Sequence, residues 1–318
     1  YGAKSTALIV TKMLEEKKNT PYRIFDKYLN EPTFETNIKF SNKLIDFKKF
    51  VKECSHFFVC IGMMDGKIRN FISKELKKFK LKELSILSDY ALVDKTAKYG
   101  DGTLIMPNAV VHKFTKLGNN CLLNVNSVVD HECEIGDGVH IMGSSYLAGR
   151  VKVNKFASIG ANATILPDIE IGEKSNVWFN TVIRADVNFV KIGKKCNIQD
   201  GTVIHVSSYG FSANGKKGSP TIISDNVTIG HNATIHACEI GNNSLVGMGS
   251  VILDQSKIEE FAFIAAGALI TPGTLVKSKE LWAGNPGRLV RKISDTEENL
   301  LFNTPDVYYN LSQEFLKK

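Results

Sequence analysis

The sequence predicts a mainly β protein: a long parallel β-helix preceded by a small α/β unit. Three observations carry this reading. An aliphatic or aromatic residue recurs at every sixth position from Val93 through Tyr99, Ile105 and Val111 to Ile183, sixteen times without a miss. A helix repeats near 3.6 residues and a half-buried strand at 2, so period six calls for short strands joined by turns, each strand sending one side chain inward. Gly follows the aliphatic position eight times, as at Gly118, Gly136 and Gly172, and Asn or Asp fills many other corners. Such residues suit tight turns with positive φ. The first 90 residues lack this period and alternate helical with extended patterns, which predicts a small Rossmann-like parallel sheet with helical crossovers.

In order, Gly2-Ala3-Lys4-Ser5 precedes a helix expected over Ala7 to Glu16. Backbone N–H groups at such a helix start can meet an anion. A strand over Tyr22 to Asp26 ends in an acid, a position that often meets a ribose hydroxyl. A helix follows over Leu44 to Glu53, then an apolar strand over His56 to Ile61 ending at Gly62. A helix over Lys67 to Phe79 and a strand opening at Ser85 to Leu87 complete the unit. The six-residue register then runs to Ile183 and restarts at Ile192, Ile198 and Ile204. It resumes at Ile223, Ile229 and Ile235, shifts by one to Ile240, and continues to Val276. With three strands per coil this makes roughly ten coils. The segment from Thr296 to Leu316 reads as a helix packed along the prism.

The 318 residues leave room for two domains, and 40 Lys plus Arg against 33 Asp plus Glu give a net charge of +7. That mild excess suits a phosphorylated or carboxylated small molecule, and no run of basic residues points to nucleic acid. The six cysteines form no C-x-x-C pair, as expected of reduced thiols in a cytoplasm. No apolar run nears 18 residues and no signal peptide is visible, so we expect a cytoplasmic protein without membrane insertion.

Three histidines stand out, in Thr202-Val203-Ile204-His205 and in Gly230-His231-Asn232-Ala233-Thr234-Ile235-His236. Between His205 and His236 a polar stretch reads as a loop of about 13 residues leaving the coil. Without it the two histidines stack on adjacent coils at one edge. His231 follows its aliphatic residue by two places and points elsewhere, which suits a site completed by a neighbouring subunit. Three imidazoles around an open fourth position form a hydrating or hydrolytic zinc site, where bound water reaches a pKa of about 7. Iron or cobalt also suits three His ligands.

The period and corners resemble the hexapeptide-repeat, left-handed β-helix family, which implies that handedness and a homotrimer with sites between subunits. Residues from about 172 onward resemble the gamma-class carbonic anhydrases through Asn176-Val177-Trp178-Phe179-Asn180, Ile183-Arg184-Ala185-Asp186, Asn197-Ile198-Gln199-Asp200-Gly201-Thr202 and Ala283-Gly284-Asn285-Pro286. That resemblance implies zinc on His205, His231 and His236 and an intersubunit ion pair between Arg184 and Asp186. Gln199 and Asp200 would orient water and substrate, and Tyr308 would line the site. Ala185 departs from the family's usual Gly.

Residues 1 to about 172 resemble the sugar O-acyltransferase and nucleotide-amino-sugar N-acetyltransferase family of sialic acid and bacillosamine pathways. The most specific match is Asn124-Val125-Asn126-Ser127-Val128-Val129-Asp130-His131-Glu132-Cys133-Glu134-Ile135-Gly136-Asp137. It implies His131 as general base assisted by Glu132, Asn124 on the sugar, His140 on acetyl-CoA, and Gly2, Asp26 and Gly62 near a nucleotide sugar. Lys4-Ser5 stand where that family carries a second Gly and a His. The expected organisation is an α/β unit over 1–90, the β-helix over 91–285 with its halves meeting near 172, and a helical segment over 286–318. The first expectation for function is zinc-dependent CO2 hydration. Acetyl transfer from acetyl-CoA to a nucleotide-linked amino sugar is the alternative, and a non-catalytic trimeric scaffold is a third.

Overall fold

The computed structural model describes residues 1–314 except 20, 63–64 and 209–217, with side chains described to 304. Three parallel sheets of ten, twelve and ten strands wrap a single hydrophobic core that runs from Ile105 to Val276. Successive rungs pair 18 residues apart, as in Leu117↔Ile135, Leu123↔Ile141 and Val129↔Leu147. The inward aliphatic ladder is buried almost without exception. Two expected members at the open end of the stack are not: Val93 is half-buried and Tyr99 is 44% exposed.

Two corner roles that look alike in the sequence separate in the structure. Positive φ falls three residues after the inward aliphatic, at Asn108, Asn120, Asn126, Glu132 and onward. The glycine directly after the aliphatic has another task. A Cβ on Gly172 would stand 2.1 Å from the Gly193 carbonyl oxygen on the next coil, so the backbones approach too closely for any side chain.

The faces differ in what they show outward. One ten-stranded face is a charge ladder, with Lys116–Glu134 at 3.3 Å and Lys152–Glu170 at 3.5 Å. The twelve-stranded face is covered in its early coils, where Leu104 and Leu122 pack under Val10, Met13 and Phe58. The other ten-stranded face is uncovered and apolar, with Tyr146, Val182 and Val203 exposed. We call these the charged, covered and open faces.

The N-terminal unit holds helices α1 (Ser5–Glu16), α2 (Leu44–Glu53) and α3 (Gly66–Lys77). Its strands form two separate parallel pairs, Arg23–Phe25 with Lys39–Ser41 and His56–Phe57 with Lys82–Glu83, rather than one wound sheet. Between them lie only Tyr1 and Gly2: the Gly2 N–H donates to the Phe25 carbonyl at 2.9 Å and the Cys60 N–H to the Tyr1 carbonyl at 2.6 Å. Of the strand expected over His56 to Ile61, the first two residues, His56 and Phe57, pair with Lys82 and Glu83. Ile86–Leu87 pairs with Leu104–Ile105, so it is the first rung of the stack and not a strand of this unit. Arg69 of α3, 3% exposed, fastens the unit to the coils by donating to the carbonyls of Asn120 and Gly138.

The stack closes where Glu280–Ala283 adds to Phe263–Ile264 and Arg288–Lys292 returns antiparallel. Helix α4 (Asp295–Glu314) follows, close to the expected span. No helix among the described residues is long and apolar enough to cross a membrane.

Candidate metal site at one edge of the prism

The edge between the open and charged faces is where the repeat breaks. The rung step lengthens to 21 residues at Val182↔Val203, to 31 at Val203↔Thr234, and shortens to 17 at Thr234↔Val251. The first two insertions leave between an open-face strand and the next charged-face strand, as does the shortened turn after His236. Departures from an otherwise consistent pattern concentrate at functional sites. The 31-residue step is the expected 13-residue excursion, and it brings His205 and His236 into direct register. Thr221, fully buried, fixes the turn by donating to the His205 carbonyl and accepting from the Ala237 N–H at 2.9 Å.

The two imidazoles face each other with His205 Nδ1 3.1 Å from His236 Nε2. Their far nitrogens each meet a carboxylate: His205 Nε2 lies 3.0 Å from Asp186 Oδ1, and His236 Nδ1 2.9 Å from Asp254 Oδ2. An ionised carboxylate only accepts, so each far nitrogen carries the ring proton. The facing nitrogens are then left to share a positive charge, a proton or a metal ion, between them. Two nitrogens held tetrahedrally at 2.0–2.1 Å from zinc sit about 3.3 Å apart, so the pair fits two ligands of such an ion.

Arg184 lies 2.7 Å from Asp186. The two residues are two apart in one turn and meet within the chain. The hydrogen bond from His205, and then the Arg184 charge, hold the Asp186 carboxyl below its usual range.

His231 does not join its fellows. It sits at the edge between the covered and open faces, with Nδ1 2.7 Å from Asp200 Oδ2. Asp200 also accepts the Phe179 N–H at 3.2 Å, so its side chain is engaged by His231 and a turn rather than turned toward the other histidines. Gln199 is 4% exposed beside it. No three His, Cys, Asp or Glu side chains of the described residues converge to hold a metal within one chain. The Tyr308 side chain lies outside the described residues.

The acetyl-transfer candidates are spread more widely. His131 lies on the open–charged edge, four rungs before His205, with Nδ1 2.9 Å from Glu132 Oε2. Gly149 leaves space over its ring, since a Cβ there would stand 2.4 Å from Nε2. Asp130, one place earlier, receives the His131 N–H at 2.7 Å and the Tyr146 hydroxyl at 3.2 Å, and lies 3.0 Å from His112 Nδ1. His140, the residue expected to meet acetyl-CoA, pairs with Leu122 on the covered face and is 3% exposed. The residue preceding an inward aliphatic points outward on its own face, so His131 and His140 occupy different sides of the prism. The Asn124 side chain accepts the Val125 N–H and caps its own turn. In the N-terminal unit Gly2 borders a cleft of about 930 Å³. Asp26 accepts the Ala3 N–H at 3.2 Å, and Gly62 abuts Thr6.

Asp254 and the His112–Asp130 pair were missed in the sequence. Asp254 lies one place past the register of His236, because the coil between them is shortened to 17 residues.

Comparison with known proteins gives two affinities. Residues 152–317 match the family model described as dynactin subunit 5. The chain is 40% identical over 161 residues to gamma carbonic anhydrase 1, mitochondrial, of Arabidopsis thaliana, covering 51% of this chain and 58% of that protein. It therefore spans little more than half the length of this relative. It is 42% identical over 161 residues to a probable carbonic anhydrase of Methanocaldococcus jannaschii, covering 51% of this chain and 96% of that one. Among solved structures, PerB from Caulobacter crescentus, in complex with CoA and GDP-perosamine, is 14% identical and covers 91% of this chain and 95% of its own, with a TM-score of 0.38.

Proposed function

The chain belongs, over its second half, to the family described as dynactin subunit 5 and to the gamma carbonic anhydrases, and from that premise we propose that it is a zinc enzyme hydrating CO2 reversibly. The observation that carries the proposal is the His205–His236 pair, two imidazole nitrogens 3.1 Å apart with both far nitrogens pinned by carboxylates. His231 on the opposite edge of the open face would supply the third ligand to a neighbouring copy, held in its tautomer by Asp200. A zinc ion so held supplies a water acidified to a pKa of about 7.

This chain's own residues do the rest. Asp186 and Asp254 keep the ring protons away from the ligating nitrogens. Arg184 pairs with Asp186, and buried Gln199, next in sequence to the Asp200 that meets His231, would donate toward a bound oxygen. The open face supports the assembly. Val182 and Val203 are exposed between the two histidine-bearing edges, and a face of this kind against a neighbour's edge closes a ring of copies. A homotrimer would thereby complete three metal sites.

The test is metal content per subunit beside CO2 hydration. About one zinc in the wild type, lost with activity in His231→Ala, supports the reading, and a metal-free active wild type refutes it.

A second reading has its own observation, the His131–Glu132 pair at 2.9 Å beneath the opening at Gly149. A neutral imidazole fixed by a carboxylate can take a proton from an amine attacking acetyl-CoA. Both sites would stand on one edge, about 19 Å apart for four rungs.

A further inference from the structure

Asp254 belongs to neither the matched motifs nor the expected ligand set, yet it closes a string of four side chains. Asp186, His205, His236 and Asp254 are linked end to end at 3.0, 3.1 and 2.9 Å across four successive coils. Asp254 sits two places past the inward Ile252, at the corner one coil beyond His236, and only 16% of its side chain is exposed. No Lys or Arg lies within ion-pairing distance of it among the described residues. Among the described residues its side chain hydrogen-bonds to the His236 ring alone.

We infer that Asp254 is a positioning residue that fixes His236 in the Nδ1–H tautomer and so presents Nε2 to the metal. The inference rests on the zinc reading above and sharpens it. An imidazole can carry its proton on either nitrogen, and the partner of one nitrogen decides which is left as a ligand. Asp186 does the same for His205 from the other side, but with the opposite atom: His205 is held at Nε2 and offers Nδ1. The two rings are therefore not equivalent. One ligates through the nitrogen nearer its backbone, the other through the farther one, and this lets stacked residues on adjacent coils meet at a single point. An outer carboxylate of this kind typically changes metal affinity by about 10–100-fold when removed.

The experiment compares wild type, Asp254→Asn, Asp254→Glu and, as a control on the charged face, Glu239→Gln. Zinc affinity is measured by chelator competition on the full chain. The His236 tautomer is read in metal-free protein from imidazole nitrogen–proton NMR correlations. The inference expects Asp254→Asn to keep the fold, bind zinc about 10–100-fold more weakly, and lose the single Nδ1–H form of His236. Asp254→Glu should recover much of both, and Glu239→Gln should change neither. Unchanged affinity and an unchanged tautomer in Asp254→Asn would overturn it. Should wild type take up no zinc, the zinc reading fails by itself. The NMR arm then still decides whether Asp254 holds His236, and a tautomer unmoved in Asp254→Asn overturns that too.

Discussion

Two glycine-to-alanine exchanges separate the packing role of glycine from its turn role. In Gly172→Ala the new Cβ meets the Gly193 carbonyl oxygen at 2.1 Å and the Lys194 nitrogen at 2.7 Å. Cβ has no rotamer through which to escape. An ordinary contact needs about 1 Å more, so the coils must part at this corner. Parting them strains the Gly172 N–H bond to the Ile192 carbonyl at 2.9 Å and the Ser175 hydroxyl bond to the Gly193 carbonyl at 2.8 Å. Overpacking costs about 1–3 kcal/mol, and each weakened hydrogen bond adds about 0.5–1 kcal/mol. The total is about 2–5 kcal/mol. Gly249→Ala is the counterpart: φ is +66° and nothing lies within 4 Å of the added Cβ. Only the left-handed backbone penalty applies, about 1 kcal/mol. For a chain of this size 1 kcal/mol shifts the melting temperature by roughly 1–2 °C. Thermal unfolding at fixed protein concentration should place Gly172→Ala about 3–8 °C below wild type and Gly249→Ala about 1–2 °C below. An equal or reversed order would refute the claim that glycine after the aliphatic serves close coil packing.

Further outcomes follow from other parts of the molecule. His131→Ala should abolish any acetyl transfer to an amino sugar while leaving zinc content unchanged, read by thioester consumption and metal analysis on the same sample. Burial pushes the Cys121 and Cys196 thiols up to about 12 and Cys133 up to about 11, so native protein at pH 8 should react slowly at these positions. Urea should release all six thiols to a colorimetric reagent; fast native labelling of Cys121 would show that the coil interior opens. Glu297 is held down to about 2 by Arg291 and the Ser294 backbone at the start of α4. Its folded value is depressed, so its contribution is full above about pH 4.5 and fades as pH falls toward 2; amide exchange in α4 should quicken over that window, and Glu297→Gln should flatten the response. Val203→Glu places a charge on the open face and should turn trimers into monomers by light scattering without unfolding the coils.

Much of the solenoid was legible because each coil repeats the same constraint. A single inward side chain per six residues leaves no other arrangement, and the excursion between His205 and His236 showed itself as a break in that count. The N-terminal unit was harder. Its helices have strong amphipathic patterns and fall where expected, but its strands are two or three residues long. Lys39–Ser41, which pairs with Arg23–Phe25, carries no pattern that separates it from a loop. The capping box Ser294-Asp295-Thr296-Glu297 at the start of α4 went unread, although the Ser294 N–H donates to the Glu297 carboxylate at 2.8 Å. The placement of candidate residues was legible when it depends on position in the repeat, as for the stacking of His205 and His236. It was not when it depends on the partner across a coil. Asp200 holds His231, Arg184 meets Asp186 in its own chain, and His140 lies on the covered face, none of which a motif specifies.

The central claim is that the zinc site is split between copies. Co-expression of His231→Ala with His236→Ala tests it most directly. Each variant alone lacks one side of every site. In mixed rings a site is intact only where a His231→Ala copy supplies His205 and His236 and its neighbour supplies His231, which random assembly gives in about a quarter of cases. The account predicts that about a quarter of the wild-type zinc and CO2 hydration returns in the mixture, with neither present in the single variants. Metal retained by either variant alone, or none recovered on mixing, would contradict it.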